Sequence, residues 1–146
     1  MTIDSQSPFY RTGDLGYLDM NSILFITGRM EERILKGDSQ ICPLEIDAIL
    51  MSHEAVQEAC TIGVPSELWK EDLEVCVVLN ELFTGIEGIG NTQLLEWCTK
   101  KLPKEKVPRQ IWIVNHLPKD SLGRLKRVEL TASMSVNDST SLPSKL

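Results

Sequence analysis

The run Leu73-Glu74-Val75-Cys76-Val77-Val78-Leu79 is almost continuously apolar and rich in β-branched residues, in a chain of 146 residues. A run of this kind, without polar alternation, is typical of a strand that is covered on both faces. It therefore predicts the central strand of a sheet. Two further apolar segments, residues 56–64, ended by Pro65, and residues 110–114, predict the other strands of the same sheet.

Helical periodicity appears on either side of this central run. Pro43 suits the first turn of a helix that ends near Met51, and Asn91 or Thr92 can cap a second helix. Each segment places its apolar residues on one face, which are Leu44, Ile46, Ile49 and Leu50 in the first and Leu94, Leu95, Cys98 and Leu102 in the second. We therefore expect an α+β fold, a small three-stranded sheet with two or three helices.

The domain organisation is indicated by where the apolar patterning begins and ends. Residues 1–8 are predicted to be a disordered lead, and residues 9–28 a polar cluster followed by a β-hairpin. Residues 29–130 are predicted to form the compact domain, and residues 131–146, rich in Ser and Thr, a flexible tail. An isolated hairpin is only marginally stable, so this hairpin must either pack on the compact domain or remain unpacked.

Charge and composition argue against several classes of protein. The formal net charge of −6 argues against nucleic-acid binding, and neither a membrane-spanning run nor a signal peptide is visible. The four cysteines, Cys42, Cys60, Cys76 and Cys98, are widely spaced in apolar surroundings. Buried free thiols in a reducing compartment are the favoured interpretation, with disulfides or a metal site as alternatives.

A small polar cluster, Tyr10-Arg11-Thr12-Gly13-Asp14-Leu15, directly precedes the predicted hairpin. A carboxylate held beside a hairpin can accept two hydrogen bonds from a vicinal diol such as a ribose. The alternative is that Asp14 and Gly13 are only turn residues.

The same cluster, followed by Gly16-Tyr17-Leu18-Asp19, resembles a signature of the adenylate-forming enzymes, which are acyl-CoA synthetases, luciferases and peptide-synthetase adenylation domains. Two more motifs fit in the same order. Gly28-Arg29 with Pro43-Leu44-Glu45-Ile46-Asp47 resembles the hinge and the following helix, and residues 117–124 (LPKDSLGR) resemble the C-terminal active-site loop. The likeness covers roughly residues 9–130, and it is closest to peroxisomal acyl-CoA synthetases.

This resemblance implies that residues 29–130 are the C-terminal lid domain and that the hairpin is the last piece of a larger N-terminal domain. The implied reaction joins a carboxylate to AMP from ATP, and the thiol of CoA then attacks the acyl-adenylate, as in fatty acid metabolism. ATP or AMP, Mg²⁺ and CoA are the implied ligands of the complete enzyme. None of them is expected to bind tightly to this chain alone.

The resemblance also implies a role for individual positions. The expected nucleotide-binding residues are Thr12, Asp14 and Arg29, the hinge is Glu31, the CoA-facing loop contains Gly37 and Asp38, and the position of the catalytic lysine is Arg124. Lys126 is a weaker candidate for the catalytic cation, if the loop slips. On charge pattern alone this basic segment could also be a solvated surface.

Three departures from the family pattern bear on activity. Arg124 replaces a lysine, Asp38 falls where a glycine is usual, and Leu35 falls where many members carry a lysine. If Gly37 supplies the turn by a one-residue shift, the effect of Asp38 is smaller. A guanidinium keeps the cation but is bulkier and does not release its proton.

The phosphate-binding loop and the adenine and acyl pockets of the family do not appear in these residues. We therefore expect this chain alone to lack ligase activity, as an excised fragment or a truncated gene product. The alternative is a non-catalytic, degenerate lid module that docks on a partner ligase or modulates it. A small CoA- or nucleotide-binding protein is a weaker third possibility.

The last three residues, Ser144, Lys145 and Leu146, match an address read by the peroxisomal import receptor. A flexible tail before them would present them to that receptor. The sequence therefore predicts a peroxisomal protein, with coincidence or a cloning end as the alternatives.

Overall fold

A computed structural model describes residues 9–86 and 88–135 of the chain. These residues form seven strands and three α-helices. The strands are β1 (Asp14–Leu18), β2 (Leu24–Arg29), β3 (Ile34–Lys36), β4 (Ser39–Ile41), β5 (Val56–Ser66), β6 (Lys70–Leu79) and β7 (Gln110–Ile113). The helices are α1 (Pro43–Met51), α2 (Asn91–Lys101) and α3 (Arg127–Ser135), and 3₁₀ turns occupy Met30–Glu32, Glu81–Phe83 and Lys104–Lys106.

The predicted α+β fold is confirmed, with a central strand at the predicted place. Strand β6 pairs antiparallel with β5 along its length and parallel with β7. The prediction of three strands was too low, because β3 and β4 extend the sheet of the described residues to five. These two strands are only three residues long, so they carry almost no periodic signal in the sequence.

The central strand is apolar throughout because helices cover both faces of the sheet. Leu73, Val75 and Val77 of β6 belong to one core cluster, which they share with buried residues of α1 and α2. The intervening Cys76 belongs to a second cluster, which includes Leu130 of α3 and Leu117. Alternate side chains of one strand therefore enter two separate cores.

Strand β5 ends later than expected. The sequence predicted that Pro65 would end the strand, but Pro65 pairs with Glu71 and the strand continues to Ser66. The order of the sheet places β5 at its edge, where a missing N–H need not break a ladder hydrogen bond.

Both predicted helices are present, with two differences in detail. Helix α2 begins at Asn91 with Gly90 as its N-cap, so neither Asn91 nor Thr92 caps it, and Gln93 Oε1 accepts a hydrogen bond from the Gly90 N–H at 3.0 Å. In α1, Ile46 and Leu50 are buried as predicted. Leu44 is instead exposed, and its side chain lies near Gly28 of the hairpin.

A third helix extends into the segment that was predicted to be a flexible tail. Helix α3 continues through Ser135, because Leu130 packs in the second core cluster and holds the helix against β5. Residues 1–8 and 136–146, which include Ser144, Lys145 and Leu146, lie outside the described residues.

The cysteines are free, as predicted. Burial raises the pKa of the Cys60 and Cys76 thiols to about 12 each and that of Cys98 to about 11, so all three are protonated and unreactive at neutral pH. Within residues 9–86 and 88–135, no helix is long and apolar enough to cross a membrane.

Candidate functional site

The polar cluster is assembled at the open end of the β1–β2 hairpin. Asp14 is opposite Arg29 in the strand register, and Arg29 Nε lies 3.0 Å from Asp14 Oδ1. Thr12 Oγ1 accepts a hydrogen bond from the Asp14 N–H at 3.1 Å, and the Thr12 carbonyl accepts one from Arg29 at 3.3 Å. The three predicted nucleotide-binding residues are therefore in mutual contact, although 17 residues separate Thr12 from Arg29.

Backbone geometry holds this cluster in place. Gly13 has a φ of 79°, and its carbonyl accepts a hydrogen bond from the Met30 N–H at 2.8 Å. A non-glycine residue would be strained in this left-handed conformation. The chain before β1 is thus joined to the turn after β2, and the Asp14 carboxylate is presented with an arginine beside it.

The rest of the hairpin exposes a large apolar surface. Apolar side chains on both strands and in the turn are more than 40% exposed, namely Tyr17, Leu18, Met20, Ile23, Leu24, Phe25 and Ile26. At the open end, the Cys42 thiol contacts the Thr27 carbonyl and lies against Gly28. The hairpin is therefore attached at one end, and its apolar side chains are uncovered elsewhere, a pattern that is typical of surfaces that pack against another protein segment.

The expected hinge lies between the hairpin and the compact domain. Glu31 is exposed in the Met30–Glu32 turn, which connects β2 to β3. The next residue, Glu32, has Oε2 3.6 Å from Nε of the buried Arg127. The start of the domain is thus in contact with the start of its last helix.

The predicted CoA-facing residues form the tight turn between β3 and β4. Gly37 has a φ of 59°, and its N–H donates a hydrogen bond to the Trp69 carbonyl at 2.7 Å. A Cβ atom on Gly37 would lie 3.3 Å from the Trp69 ring. Gly37 therefore supplies the left-handed turn residue, which is the one-residue shift that the sequence left open, and Asp38 is exposed beside it.

The predicted active-site loop, residues 117–124, continues to the start of α3, and residues 117–126 are here named the Arg124 loop. It closes through a bridge between Lys119 and Leu125, and Lys119 Nζ anchors it to Glu58 Oε1 of β5 at 2.7 Å. Gly123, with a φ of 79°, makes the turn. Arg124 is thus presented by an ordered loop, and its side chain is 72% exposed.

Asp120 organises the Arg124 loop, a role that sequence reasoning did not assign. Its Oδ1 accepts hydrogen bonds from the N–H groups of Leu122 at 2.8 Å and Arg124 at 3.0 Å, and its Oδ2 accepts one from Arg124 Nε at 2.9 Å. The Arg124 backbone hydrogen bond, with its side chain and the Leu122 amide, lowers the pKa of the Asp120 carboxyl. The weaker candidate cation, Lys126, pairs with Glu129 at 3.1 Å.

A second ionic group that the sequence did not reveal lies at the edge of the sheet. The Asp47 carboxylate and the Arg127 guanidinium are both buried and meet at 2.9 Å. Burial raises the pKa of Asp47, although Arg127 and Thr61 act in the opposite direction. The sequence signal that could have indicated this ion pair was Asp47 itself, a charged residue next to the buried apolar face of α1.

The described residues offer no metal site. No group of three or more His, Cys, Asp or Glu side chains among residues 9–86 and 88–135 could hold a metal ion. The cluster at Thr12, Asp14 and Arg29 instead offers a carboxylate and a cation, which suit the hydroxyls and phosphate of a nucleotide.

An α+β domain with an exposed cationic loop and a polar cluster at its hairpin is the arrangement of the adenylate-forming class. The chain belongs to the AMP-binding enzyme C-terminal domain family, whose model matches residues 45–124. The predicted superfamily is therefore confirmed.

Curated relatives are CoA ligases. A probable CoA ligase, CCL9, of Humulus lupulus is 35% identical over 122 residues, covering 84% of this chain and 22% of that protein. The oxalate–CoA ligase of Saccharomyces cerevisiae is 34% identical over 119 residues, covering 82% of this chain and 21% of that protein. The chain thus spans between a fifth and a quarter of the length of these relatives.

Two solved structures have the same fold as this chain. The o-succinylbenzoate CoA synthetase of Bacillus subtilis, in complex with its acyl-adenylate intermediate, superposes with a TM-score of 0.75 at 28% identity, over 91% of this chain and 25% of that one. The ATP-bound MatB of Rhodopseudomonas palustris gives a TM-score of 0.77 at 28% identity, over 85% of this chain and 24% of that one.

Proposed function

We propose that this chain is the lid domain of an ATP-dependent acyl-CoA synthetase-like ligase, which converts a carboxylate and ATP to an acyl-adenylate and then to an acyl-CoA. The observation that carries the proposal is the hairpin, which keeps Asp14 and Arg29 together while leaving its apolar side chains uncovered. An N-terminal domain that covers this surface would place a nucleotide beside Asp14.

In the proposed reaction each part of the chain has one task. Asp14 accepts hydrogen bonds from the ribose hydroxyls, and Arg29 lies near the phosphate. Arg124 brings a cation to the developing negative charge when pyrophosphate leaves. The domain then turns at Glu31 and presents the Gly37–Asp38 turn to CoA. Mg²⁺ and CoA are proposed as ligands of the complete enzyme.

The 146 residues alone are proposed to lack ligase activity, because they contain one edge of a nucleotide site and not its other walls. Pyrophosphate release from ATP, a fatty acid and CoA by the purified chain would overturn this part of the proposal.

A chimera tests the lid role directly. The large domain of the Bacillus subtilis 2-succinylbenzoate–CoA ligase, joined to this chain, supplies the missing half and fixes the acid to be tested. We expect weak adenylation, measured as pyrophosphate release, and a rise of at least about tenfold on Arg124→Lys, because a well-placed lysine is worth a few kcal/mol. Arg33→Lys is the matched control, since Arg33 binds Gln40 outside the loop.

A second candidate is a non-catalytic module that docks on a partner ligase. The ion pair of Arg124 with Asp120 favours it, because the loop cation already has a counter-ion. Failure of Arg124→Lys to raise adenylation in the chimera, together with capture of a ligase by the unmodified chain, would favour this module over the lid.

We also propose a peroxisomal location, supported by Ser144, Lys145 and Leu146. A fluorescent protein joined before Met1, with Leu146 as the free C-terminus, should colocalise with peroxisomes, and deletion of the three residues should abolish this. A diffuse signal from the complete fusion would contradict the proposal. Fatty acid metabolism stays a prediction, since the relatives include ligases named for oxalate and 2-succinylbenzoate.

A further inference from the structure

The backbone of one residue at the edge of the sheet, Thr61, is bound by two charged side chains from different helices. Thr61 lies in β5, the edge strand, and its N–H donates to Asp47 Oδ1 of α1 at 2.6 Å. Its carbonyl accepts from Arg127 of α3 at 2.6 Å. Asp47 and Arg127 also pair with each other at 2.9 Å, so they close the edge of the strand.

The same guanidinium reaches a third element. The Nε atom of Arg127 is buried and has no hydrogen-bond partner among the described residues. It forms a longer ion pair with Glu32, whose Oε2 lies 3.6 Å away. Glu32 comes directly after Glu31 in the Met30–Glu32 turn, and Arg127 comes directly after the Arg124 loop. One side chain therefore contacts both the turn and the edge strand from the end of the loop.

We propose that Arg127 is a positioning residue that holds the Arg124 loop and Glu32, the turn residue directly after the proposed hinge, in one rigid frame. This inference rests on the proposed function, in which the domain turns at Glu31. A turn at that residue carries Arg124 to a defined place only if the chain after Glu31 moves as one body with the loop.

The chemistry of arginine fits this task. A planar guanidinium can donate in several directions at once, here to Asp47, to Thr61 and toward Glu32. Loss of the Arg127 guanidinium would leave the buried Asp47 carboxylate without its counter-ion, which is strongly unfavourable. The connection to Glu32 is the weakest of the three, since Glu32 is partly exposed, so it can be removed without opening the core.

The test uses amide hydrogen exchange of the full 146-residue chain, monitored by NMR. In Glu32→Gln we expect about five- to tenfold faster exchange at two amides, Leu35 in β3, which follows the turn, and Lys126 in the loop. Both amides donate hydrogen bonds in the structure, Leu35 to Glu71 Oε2 and Lys126 to the Pro118 carbonyl. Each rate is expressed relative to the core amide of Val75, so that a general loss of stability cancels.

The matched control is Glu129→Gln, which removes the same charge from α3, where Glu129 pairs with Lys126 and not with Arg127. Arg127→Lys should reproduce the effect of Glu32→Gln or exceed it, since a single ammonium cannot reach all three elements. A faster rate at only one of the two amides, no change, or an equal effect of the control would overturn the proposal. No nucleotide is involved, so failure here is distinct from failure of the chimera to adenylate.

Discussion

Arg124 and Asp120 form an ion pair inside a single loop, with Arg124 Nε 2.9 Å from Asp120 Oδ2. The other carboxylate oxygen accepts two backbone N–H groups of the same loop. The cation proposed for catalysis is therefore already paired with a counter-ion in its own loop.

The order of the Arg124 loop should depend on pH. Because the folded-state pKa of Asp120 is lowered, the stabilisation that its ionised form gives the loop is present above the ordinary aspartate pKa and is lost as the pH falls through the lowered value. The Leu122 and Arg124 amide chemical shifts should titrate together, below pH 3.8. Asp120→Asn should abolish this titration, and a midpoint at or above the ordinary value would contradict the prediction.

Asp14→Asn should weaken nucleotide binding in the chimera. An amide is neutral and accepts hydrogen bonds from a diol less strongly than a carboxylate does, so the KM for ATP should rise about 10- to 100-fold. Steady-state kinetics at saturating acid measure this rise. Asp19→Asn is a matched control, since Asp19 caps the far turn of the same hairpin. An equal KM for the Asp14 variant and the parent would count against a ribose ligand at this position.

Gly28→Ala should detach the hairpin from the domain. A Cβ atom at residue 28 would lie 2.5 Å from Cys42 Sγ, so one of the two segments must shift, at about 2 kcal/mol. Nuclear Overhauser contacts between residue 28 and the Leu44 methyl groups should weaken. Adding Cys42→Ala removes the sulfur and should restore part of their intensity; the rest stays lost because alanine rarely adopts the φ of 158° at residue 28. Contacts no stronger in the double variant than in Gly28→Ala would show that crowding by the sulfur is not the cause.

Two leucines allow a matched test of the core. Leu73 is fully buried on β6 and Leu82 is 85% exposed in the Glu81–Phe83 turn. Leu73→Ala should lower the free energy of unfolding by about 3 kcal/mol, and Leu82→Ala by about 0.5 kcal/mol or less. Urea denaturation monitored by circular dichroism measures both. Equal effects would contradict the assignment of β6 to the centre of the sheet.

Local patterns in the sequence predicted most of the fold. The apolar run at residues 73–79 became the central strand, and α1 and α2 occupy their predicted segments. The end of β5 was predicted too early. A proline such as Pro65 is tolerated within a strand only at the edge of a sheet, and long-range pairing decides which strand is at the edge. Strands β3 and β4 were missed because three residues show no period.

For the candidate site, the sequence by itself determined which residue types are present in which order, and hence the family. It also placed Thr12, Asp14 and Arg29 at the two ends of one hairpin, because strand pairing brings such residues together. Only the tertiary structure decided that Asp120 holds Arg124 and that Arg127 joins Asp47, Thr61 and Glu32. Arg127 and Asp47 are 80 residues apart, and their contact arises because two helices on opposite faces of the sheet meet at the free edge of β5.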